Sequence, residues 1–460
     1  MVVVAVLAAA VGGNGLRGEE GAVTTTGWPA PMTSDECWKA MPPAVEGSGQ
    51  PLPAWARMLA RPMPRTAAAF LELDLAQRTK SPLDPKLRAA MRWVSAHANR
   101  CDASAATAKA DAFRAGVAPA AWASLESGGR ESWSEAERAA LDFALAMTLD
   151  SDGVTDAAFA ELVARFGERR TAAMVLLMAY ANFQDRLLLC LGCPPDDGGP
   201  LPPVEVRFAP DALVLQTTPP ARKPPEQAAD PTAEPTPGED IVDDGASFTW
   251  LSYPELQERL RSQRERTTRL PVPEWSAFAD ALPPGLMEKP LDLVWYKIAF
   301  GYAHELAVPF EIYMRTAGSE VTRNWDRHFG NCLFWMVTDA VHCPYCMGHC
   351  EMNWEVMGLG PGQIADVSRV LAGSDWSSYG APEQRALAFA RTLTATPWKV
   401  TRDDLDALRA GFGDERAFYI ALNCSRYNYM TRISNGFQLT LESGNPFWDY
   451  YKLPAPPAGK

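Results

Sequence analysis

The feature that most constrains this fold is a pattern that occurs twice along the 460-residue chain. In three pairs of matching segments, the first residues of the two copies differ in number by 246: Val154-Thr155 and Val400-Thr401, Phe166-Gly167 and Phe412-Gly413, and Asn182-x-x-x-Arg186 and Asn428-x-x-x-Arg432. A constant offset over such a distance is hard to obtain by chance and indicates an internal repeat. The sequence therefore predicts that one structural unit is duplicated in tandem.

Both copies carry the periodicity of α-helices. Apolar residues spaced three or four apart form one face around Leu141 in the first copy, and a matching face recurs around Leu387 in the second. Thr155 and Thr401 are followed by acidic residues, which predicts a helix N-cap at each position. The best strand signal is confined to residues 204–208. The predicted fold class is therefore all-α.

Changes in composition divide the chain. A run dense in proline and acidic residues predicts a stiff, solvated linker between the two copies. The predicted divisions are an N-terminal segment at 1–50, a first unit at 51–195, the linker at 196–247, a second unit at 248–445 and a C-terminal tail at 446–460. The apolar run Val2–Val11 has the length of a signal peptide but no basic residues before it, so both the cytoplasm and export stay open as compartments.

The net charge, the apolar stretches and the cysteine spacing argue against several classes of protein. The formal net charge of −13 and the lack of a basic tract argue against nucleic acid as a partner. No later stretch is apolar over the length that a membrane span requires. The nine cysteines have no regular spacing, which argues against a disulfide framework.

The chemistry is concentrated in residues 339–351, which hold three of the nine cysteines and two of the five histidines. Pro344 fixes its own φ and disfavours helical geometry at the preceding residue, so a helix is expected to begin there with Cys343 at its cap. Unpaired backbone N–H groups and the helix dipole at that end favour a thiolate at Cys343 and at Cys346. Helical geometry places Cys343, Cys346, His349 and Cys350 on one side of the helix.

Three interpretations of this cluster compete. A Cys-x-x-Cys at a helix start, with imidazoles beside it, is typical of a dithiol for exchange or peroxide chemistry, which needs no bound cofactor. Alternatively, the cluster is a zinc or copper site, whose ligands would be His342, Cys343, Cys346, His349 and Cys350. Inert packing of buried cysteines is the third interpretation. The redox interpretation is preferred, because one helix rarely supplies four tetrahedral ligands.

The first copy lacks this dithiol. Cys101 lies 15 residues before Gly116, as Cys343 lies 15 residues before Gly358, so these two cysteines correspond. Counting on from them, Ser104 corresponds to Cys346, whereas Thr107 and Ala108 correspond to His349 and Cys350. Because the histidine and both partner cysteines are lost together, the first copy is predicted to be a scaffold.

The two units resemble the carboxymuconolactone decarboxylase and alkylhydroperoxidase D (AhpD-like) superfamily, over roughly residues 51–193 and 271–440. The resemblance rests on the order helix, Cys-x-x-Cys, helix, Gly, Glu-Arg-Ala-Leu-type helix, Val-Thr, Phe-Gly and Asn-x-x-x-Arg. It implies an all-α fold that usually oligomerises, here as a homo-oligomer or as a pseudo-dimer within one chain. In the redox branch the dithiol reduces a peroxide, and a thiol or dithiol partner reduces the resulting disulfide.

Carried over by position, the resemblance implies that Cys346 attacks the peroxide and that Cys343 resolves the intermediate. Cys350 occupies the place of the family's motif histidine, and His349 is displaced by one residue. Asn331 and Cys332 stand where the family has the glutamate of its proton relay. A substitute carboxylate is then expected to come through the fold from Glu305, Glu311 or Glu320. The decarboxylase branch is disfavoured, because its members do not need a Cys-x-x-Cys.

Weaker motifs receive structural interpretations. Cys190-Leu-Gly-Cys193 is expected to be a helix-end glycine turn, and the Asn-x-x-x-Arg pairs are expected to pack helices, because they recur in the copy without a dithiol. His304-Glu305 lacks the second histidine of a metalloprotease, and Pro309 is expected to interrupt its helix. The sequence assigns no role to Cys101, Cys332 or Cys424, and it identifies neither the peroxide nor the reductant.

Overall fold

The computed structural model describes residues 27–196, 198–213, 242–243, 246–247, 253–283, 286, 292–321, 325–373 and 375–450. Helices make up most of this part of the chain, and its strands form two short antiparallel pairs. The predicted all-α class is confirmed. The apolar run Val2–Val11, residues 214–241 of the predicted linker and the last ten residues of the tail lie outside the described residues.

The first half contains nine α-helices among the described residues, followed by a short helix of the linker. They are α1 Ser34–Ala40, α2 Ala54–Leu59, α3 Pro64–Leu75, α4 Pro85–Ala98, α5 Asp102–Arg114, α6 Pro119–Glu126, α7 Glu135–Leu149, α8 Asp156–Phe166, α9 Glu168–Cys190 and α10 Pro210–Leu213. A π-helical turn, Ala76–Lys80, follows α3 directly.

The second half is also helical. Its described helices are α11 Tyr253–Glu265, α12 Val294–Val321, α13 Arg327–Ala340, α14 Pro344–Val356, α15 Pro361–Ala372, α16 Ala381–Ala395, α17 Arg402–Phe412, α18 Asp414–Phe437 and α19 Phe447–Tyr450. Short 3₁₀ turns occur at Trp275–Ala277, Ala279–Ala281 and Pro397–Lys399.

The strands add little to the architecture. β1 (Ala44–Glu46) pairs antiparallel with β2 (Arg207–Phe208), and β3 (Val242–Asp243) pairs with β4 (Ala246–Ser247). The strand predicted at 204–208 is therefore only two residues long. Val204, Val206, Phe208 and Leu213 are all buried against the first half. The prediction that residues 196–213 are solvated linker is wrong, because apolar side chains anchor this stretch.

The predicted caps are present. The Thr155 hydroxyl accepts a hydrogen bond from the Ala158 N–H at 3.2 Å and caps α8. Thr401 caps α17 in the same way through the Asp404 N–H at 3.3 Å. These bonds satisfy backbone donors that have no partner inside the helix, which explains why the signal is readable locally.

Pro309 does not interrupt its helix as expected. α12 continues through Pro309 and instead leaves helical geometry at Ala303, where φ is −150° and ψ is 55°. A proline removes one main-chain hydrogen bond, which a kinked helix tolerates.

The two halves pack together mainly along the long helices α9 and α18. Arg186 donates to the Thr394 carbonyl at 2.7 Å, and Arg432 donates to the Thr148 carbonyl at 3.2 Å, so each half reaches into the other. The asparagine one turn earlier holds each arginine, at 2.8 Å in α9 and 2.7 Å in α18. The packing role predicted for the Asn-x-x-x-Arg pairs is confirmed.

Local geometry repeats between the two halves. Cys101 and Cys343 have nearly the same backbone angles, φ −98° and ψ 88° against φ −100° and ψ 89°. The residue before each is left-handed, with φ of 55° at Arg100 and 51° at His342. These matches support the duplication, which stays a prediction. Among the described helices, none has the length and apolar character to cross a bilayer.

Candidate functional site

The cysteine cluster begins α14 as the sequence predicts. Cys343 is the N-cap, and Pro344 is the first helical residue. The chain turns from α13 into this cap through the left-handed His342, and the Cys343 N–H donates to the Thr338 carbonyl at 2.8 Å. Proline supplies the helical φ where its missing N–H costs nothing. The path of the chain into α14 is therefore determined by residues close in sequence.

Hydrogen bonds link the two cysteines of the Cys-x-x-Cys to each other and to α18. The Cys346 N–H donates to the Cys343 sulfur at 3.3 Å, and the Cys346 thiol lies 3.3 Å from the hydroxyl of Ser434 on α18. The Ser434 hydroxyl donates in turn to the Met430 carbonyl at 2.9 Å. All nine cysteines are free thiols in this structure. Ser434 is a contact that the sequence analysis did not identify.

Burial controls the protonation of Cys343. Its side chain is fully buried, and Cys346 is 2% exposed. Burial raises the pKa of Cys343 well above the usual 9.0, and the neighbouring Cys346 raises it further, against smaller lowering effects from the Cys346 N–H and Ser434. The expectation that the helix start favours a thiolate at Cys343 is wrong, because desolvation outweighs the helix dipole there. Cys343 is held as a thiol.

His349, one turn further along α14, is bound to a carboxylate. Its Nε2 lies 2.7 Å from Oε2 of Glu442, and both side chains are largely buried. Burial by itself would raise the pKa of Glu442, but the hydrogen bond and charge interaction with His349 bring that pKa below its usual value. The carboxylate is therefore ionised and accepts a hydrogen bond from the ring N–H.

Glu442 also holds the surroundings of the histidine. Its Oε1 accepts hydrogen bonds from the Tyr345 hydroxyl at 2.9 Å and from the Val294 N–H at 2.8 Å. The Tyr345 ring packs against the His349 ring with centroids 4.3 Å apart, and the Phe447 ring meets it edge-on at 5.3 Å. Such contacts fix the orientation of the imidazole. Phe447 also shows that the first residues of the predicted tail belong to the site.

The segment after α18 brings Glu442 to this position. α18 ends at the left-handed Gln438, whose φ is 50°, and the Leu439 N–H returns to the Ser434 carbonyl at 3.1 Å. Leu441 then lies directly on α14: a Cβ at Gly348 would stand 2.4 Å from its side chain. A larger residue at 348 would force the Leu441 side chain to shift. The contact between Leu441 and Gly348 thus helps to place the segment that carries Glu442.

The three carboxylates proposed from the sequence serve elsewhere. Glu305 forms an ion pair with Arg169 at 2.8 Å, and Glu311 forms one with Arg315 at 2.6 Å. Glu320 accepts hydrogen bonds from the Thr66 N–H and hydroxyl at 2.8 and 2.6 Å, at the start of α3. The expectation that one of them meets the histidine is wrong. All three carboxylates of α12 are bound by partners other than His349.

The repeat itself contains a signal for Glu442. Glu442 and Asp196 differ in number by 246, the offset of the other repeated segments. Asp196 accepts from the Ala54 N–H at 2.6 Å, as Glu442 accepts from the Val294 N–H. A carboxylate follows the last helix in both copies. Extending the alignment past that helix would have identified Glu442.

Cys350 occupies a different environment from His349. It is fully buried, and its carbonyl accepts from the Asn331 side chain at 2.9 Å. Burial raises its pKa well above the usual value, and interactions with Cys332 and Cys343 raise it further. Cys332 lies 3.8 Å from His328 and 3.6 Å from the Tyr379 hydroxyl. Of the two residues weighed for the histidine role, His349 is the one held by a carboxylate.

The proposed metal ligands do not form a coordination cluster in this geometry. Among the residues described, no three His, Cys, Asp or Glu side chains are arranged to hold a metal ion. His342 stands in the turn before α14, whereas Cys343, Cys346, His349 and Cys350 follow along the helix. The metal alternative stays a prediction.

The other Cys-x-x-Cys ends α9. Cys190 is the last helical residue, and Gly192 has a φ of 58°, so the expected glycine turn is confirmed. Burial raises the pKa of Cys190 to about 12. Cys424 is fully buried within α18. Comparison with protein-family models and with curated proteins finds no match to this chain.

Proposed function

We propose that this protein is a thiol-dependent peroxide reductase of the AhpD-like type, which uses the Cys343–Cys346 dithiol and a relay formed by His349 and Glu442. One observation carries the proposal. A Cys-x-x-Cys pair begins α14, and one turn later a histidine is fixed by an ionised carboxylate at 2.7 Å. Vicinal thiols supply two electrons, and a carboxylate-oriented imidazole moves protons.

The proposed reaction has three steps. His349 takes the proton of the Cys346 thiol, and the thiolate attacks the peroxide, forming an S–O bond as the O–O bond breaks. The leaving alkoxide takes that proton and departs as an alcohol, which leaves Cys346 as a sulfenic acid. The Cys343 thiol then attacks the Cys346 sulfur, forming the disulfide and releasing water. A thiol or dithiol reductant finally supplies two electrons and two protons, which restore both cysteines.

The burial of the two cysteines favours Cys346 as the attacking residue and Cys343 as the resolving residue. Cys343 is fully enclosed and is held as a thiol, whereas Cys346 retains a little exposure and contacts the Ser434 hydroxyl. A small hydroperoxide is the expected substrate, because Cys346 is only 2% exposed. Reduction by a protein partner would require a local opening over α14.

Stopped-flow consumption of hydrogen peroxide by the pre-reduced chain tests the proposal. The wild type is expected to consume one peroxide per chain and to lose two thiols, whereas Cys346→Ser loses this reaction. Cys424→Ser is the matched control, since that thiol is equally buried within α18. Unchanged consumption in Cys346→Ser would exclude the proposed chemistry. Stoichiometric zinc or copper in chelator-free protein, with no peroxide consumption, would favour the metal-binding alternative.

A further inference from the structure

The first half of the chain contains a pocket at the position that corresponds to the dithiol site. The pocket has a volume of about 110 Å³ and is lined by parts of α4, α5 and α9, the π-helical turn and the segment after α9. Its wall includes Ser104, Thr107 and Asp196, which correspond by the repeat offsets to Cys346, His349 and Glu442. The counterpart of the thiol site is therefore an open cavity.

Two arginines accompany the loss of the dithiol. Arg88 and Arg92 lie one turn apart on α4 and line the pocket. Counted from the corresponding cysteines, Cys101 and Cys343, their counterparts in α13 are Gly330 and Phe334. Asp185 pairs with Arg92 at 2.7 Å, whereas Arg88 brings a guanidinium without an ion-pair partner among the described residues, and a charge removed from water costs free energy unless it is paired.

Several polar groups in the wall have no hydrogen-bond partner among the described residues. Gln77 is fully buried, and both its amide nitrogen and its amide oxygen lack a hydrogen bond among the described residues. Nη1 of Arg92 also lacks one, although its Nη2 contacts Asp185 at 2.7 Å and Ser104 at 2.9 Å. Unsatisfied buried groups of this kind are rare in native structures and point to a missing ligand.

Arg88 is the cation left without a carboxylate. It makes no hydrogen bond or ion pair with any described residue, in contrast to Arg78 in the same wall, which Asp74 and Asp111 neutralise at 3.2 and 2.8 Å. Burial lowers the pKa of Arg88, and the more distant charges of Asp111 and Asp84 only partly offset this. An anion entering the pocket would supply the counter-charge.

We propose that this pocket binds a short hydroxycarboxylate, with the carboxylate on Arg88 and Nη1 of Arg92 and the hydroxyl on the Gln77 amide. A guanidinium presents paired N–H donors that match the two oxygens of a carboxylate. The amide of Gln77 supplies both a donor and an acceptor, which a hydroxyl uses together. The volume of about 110 Å³ is smaller than the cavity of about 150 Å³ that accommodates benzene, so the ligand must be short.

Isothermal titration of the full chain with L-lactate tests this site. Saturable binding of one lactate per chain is expected, with weaker binding of propionate, which lacks the hydroxyl, and of lactamide, which lacks the charge. Arg88→Gln is expected to weaken lactate binding about tenfold or more, as loss of a charged hydrogen bond does. Arg165→Gln is the matched control, because Arg165 forms surface ion pairs with Glu135 and Glu161.

Gln77→Leu separates ligand binding from folding. Because the Gln77 amide is buried without partners, leucine is expected to raise the melting temperature of the ligand-free chain while weakening lactate binding about tenfold or more. Absence of saturable heat with lactate, or undiminished binding in both Arg88→Gln and Gln77→Leu, would overturn the proposal. Inorganic phosphate binding more tightly than lactate would also overturn the assigned ligand class.

Discussion

Nε2 of His349 lies 2.7 Å from Oε2 of Glu442, which follows it by 93 residues. Because Glu442 is ionised and can only accept, Nε2 is the hydrogen-bond donor of this pair, and Nδ1 is the ring nitrogen that this bond leaves unoccupied. A carboxylate that binds one ring nitrogen in this way leaves the other ring nitrogen to exchange a proton. The relationship leads to the first prediction.

We expect His349→Ala to lower kcat/KM for peroxide roughly 10²–10⁴-fold, the usual contribution of a general base. Glu442→Gln is expected to cost about tenfold and to change the pH dependence of Cys346 alkylation, because the ring loses its ionised partner. Steady-state kinetics and alkylation rates against pH measure both effects. Glu305→Gln is the control, since Glu305 pairs with Arg169 instead.

Comparing His349→Ala with a Cys350→Ala variant distinguishes the roles of His349 and Cys350. If Cys350→Ala removes activity while His349→Ala is nearly silent, the thiol at 350 has taken the motif position and the relay proposed here is wrong.

Mild oxidation is expected to join Cys343 to Cys346. The Cys346 N–H already donates to the Cys343 sulfur at 3.3 Å, so the Cys343 sulfur lies beside Cys346 at the start of α14. Peptide mapping after one equivalent of hydrogen peroxide measures the pairing. Cys190 and Cys193 are the internal comparison, and they are expected to stay reduced. A map in which Cys343 and Cys346 are both free while Cys350 is modified would contradict the assignment.

Cys101→Ser is expected to leave peroxide turnover unchanged. Cys101 is buried, burial raises its pKa to about 12, and Ser104 stands where the second copy has the attacking thiol, so Cys101 has no thiol partner. Turnover and circular dichroism are measured on the same preparation. A large loss of rate in a folded variant would show that the first half takes part in the thiol chemistry.

Asp339, near the end of α13, is expected to make stability depend on pH. It is 1% exposed, neither side-chain oxygen has a hydrogen bond among the described residues, and burial raises its pKa to about 7. Between pH 4 and 7 the unfolded chain ionises this group while the folded chain keeps it protonated. Stability is therefore lost as pH rises, by at most about 4 kcal/mol.

Asp339→Asn is expected to remove that loss of stability. The free energy of unfolding of the variant, relative to that of the wild type, should therefore be higher at pH 8 than at pH 4. Urea titrations at both pH values measure the difference. Asp375→Asn is the opposite-sign control, because hydrogen bonds from Ser377 lower the pKa of Asp375. A constant difference between Asp339→Asn and wild type at the two pH values would show that Asp339 is ionised in the folded chain.

Features fixed by a few neighbouring residues could be predicted from the sequence. The start of α14 at Pro344, the caps at Thr155 and Thr401 and the turn at Gly192 all agree with expectation. Each depends on φ restriction or on hydrogen bonds within one turn, so no distant contact changes the outcome. The all-α class belongs to the same group, because helical periodicity is read within each segment.

Features that depend on packing between distant segments were decided by the tertiary structure. Glu442 meets His349 through the packing of the segment after α18, where Leu441 lies on Gly348, and carboxylates of α12 are bound by other partners. Cys343 is a thiol because the surrounding helices remove it from water, a desolvation that exceeds the local pull of the helix dipole. Local sequence determines where a helix begins, whereas burial and side-chain proximity follow from contacts between residues far apart in the chain.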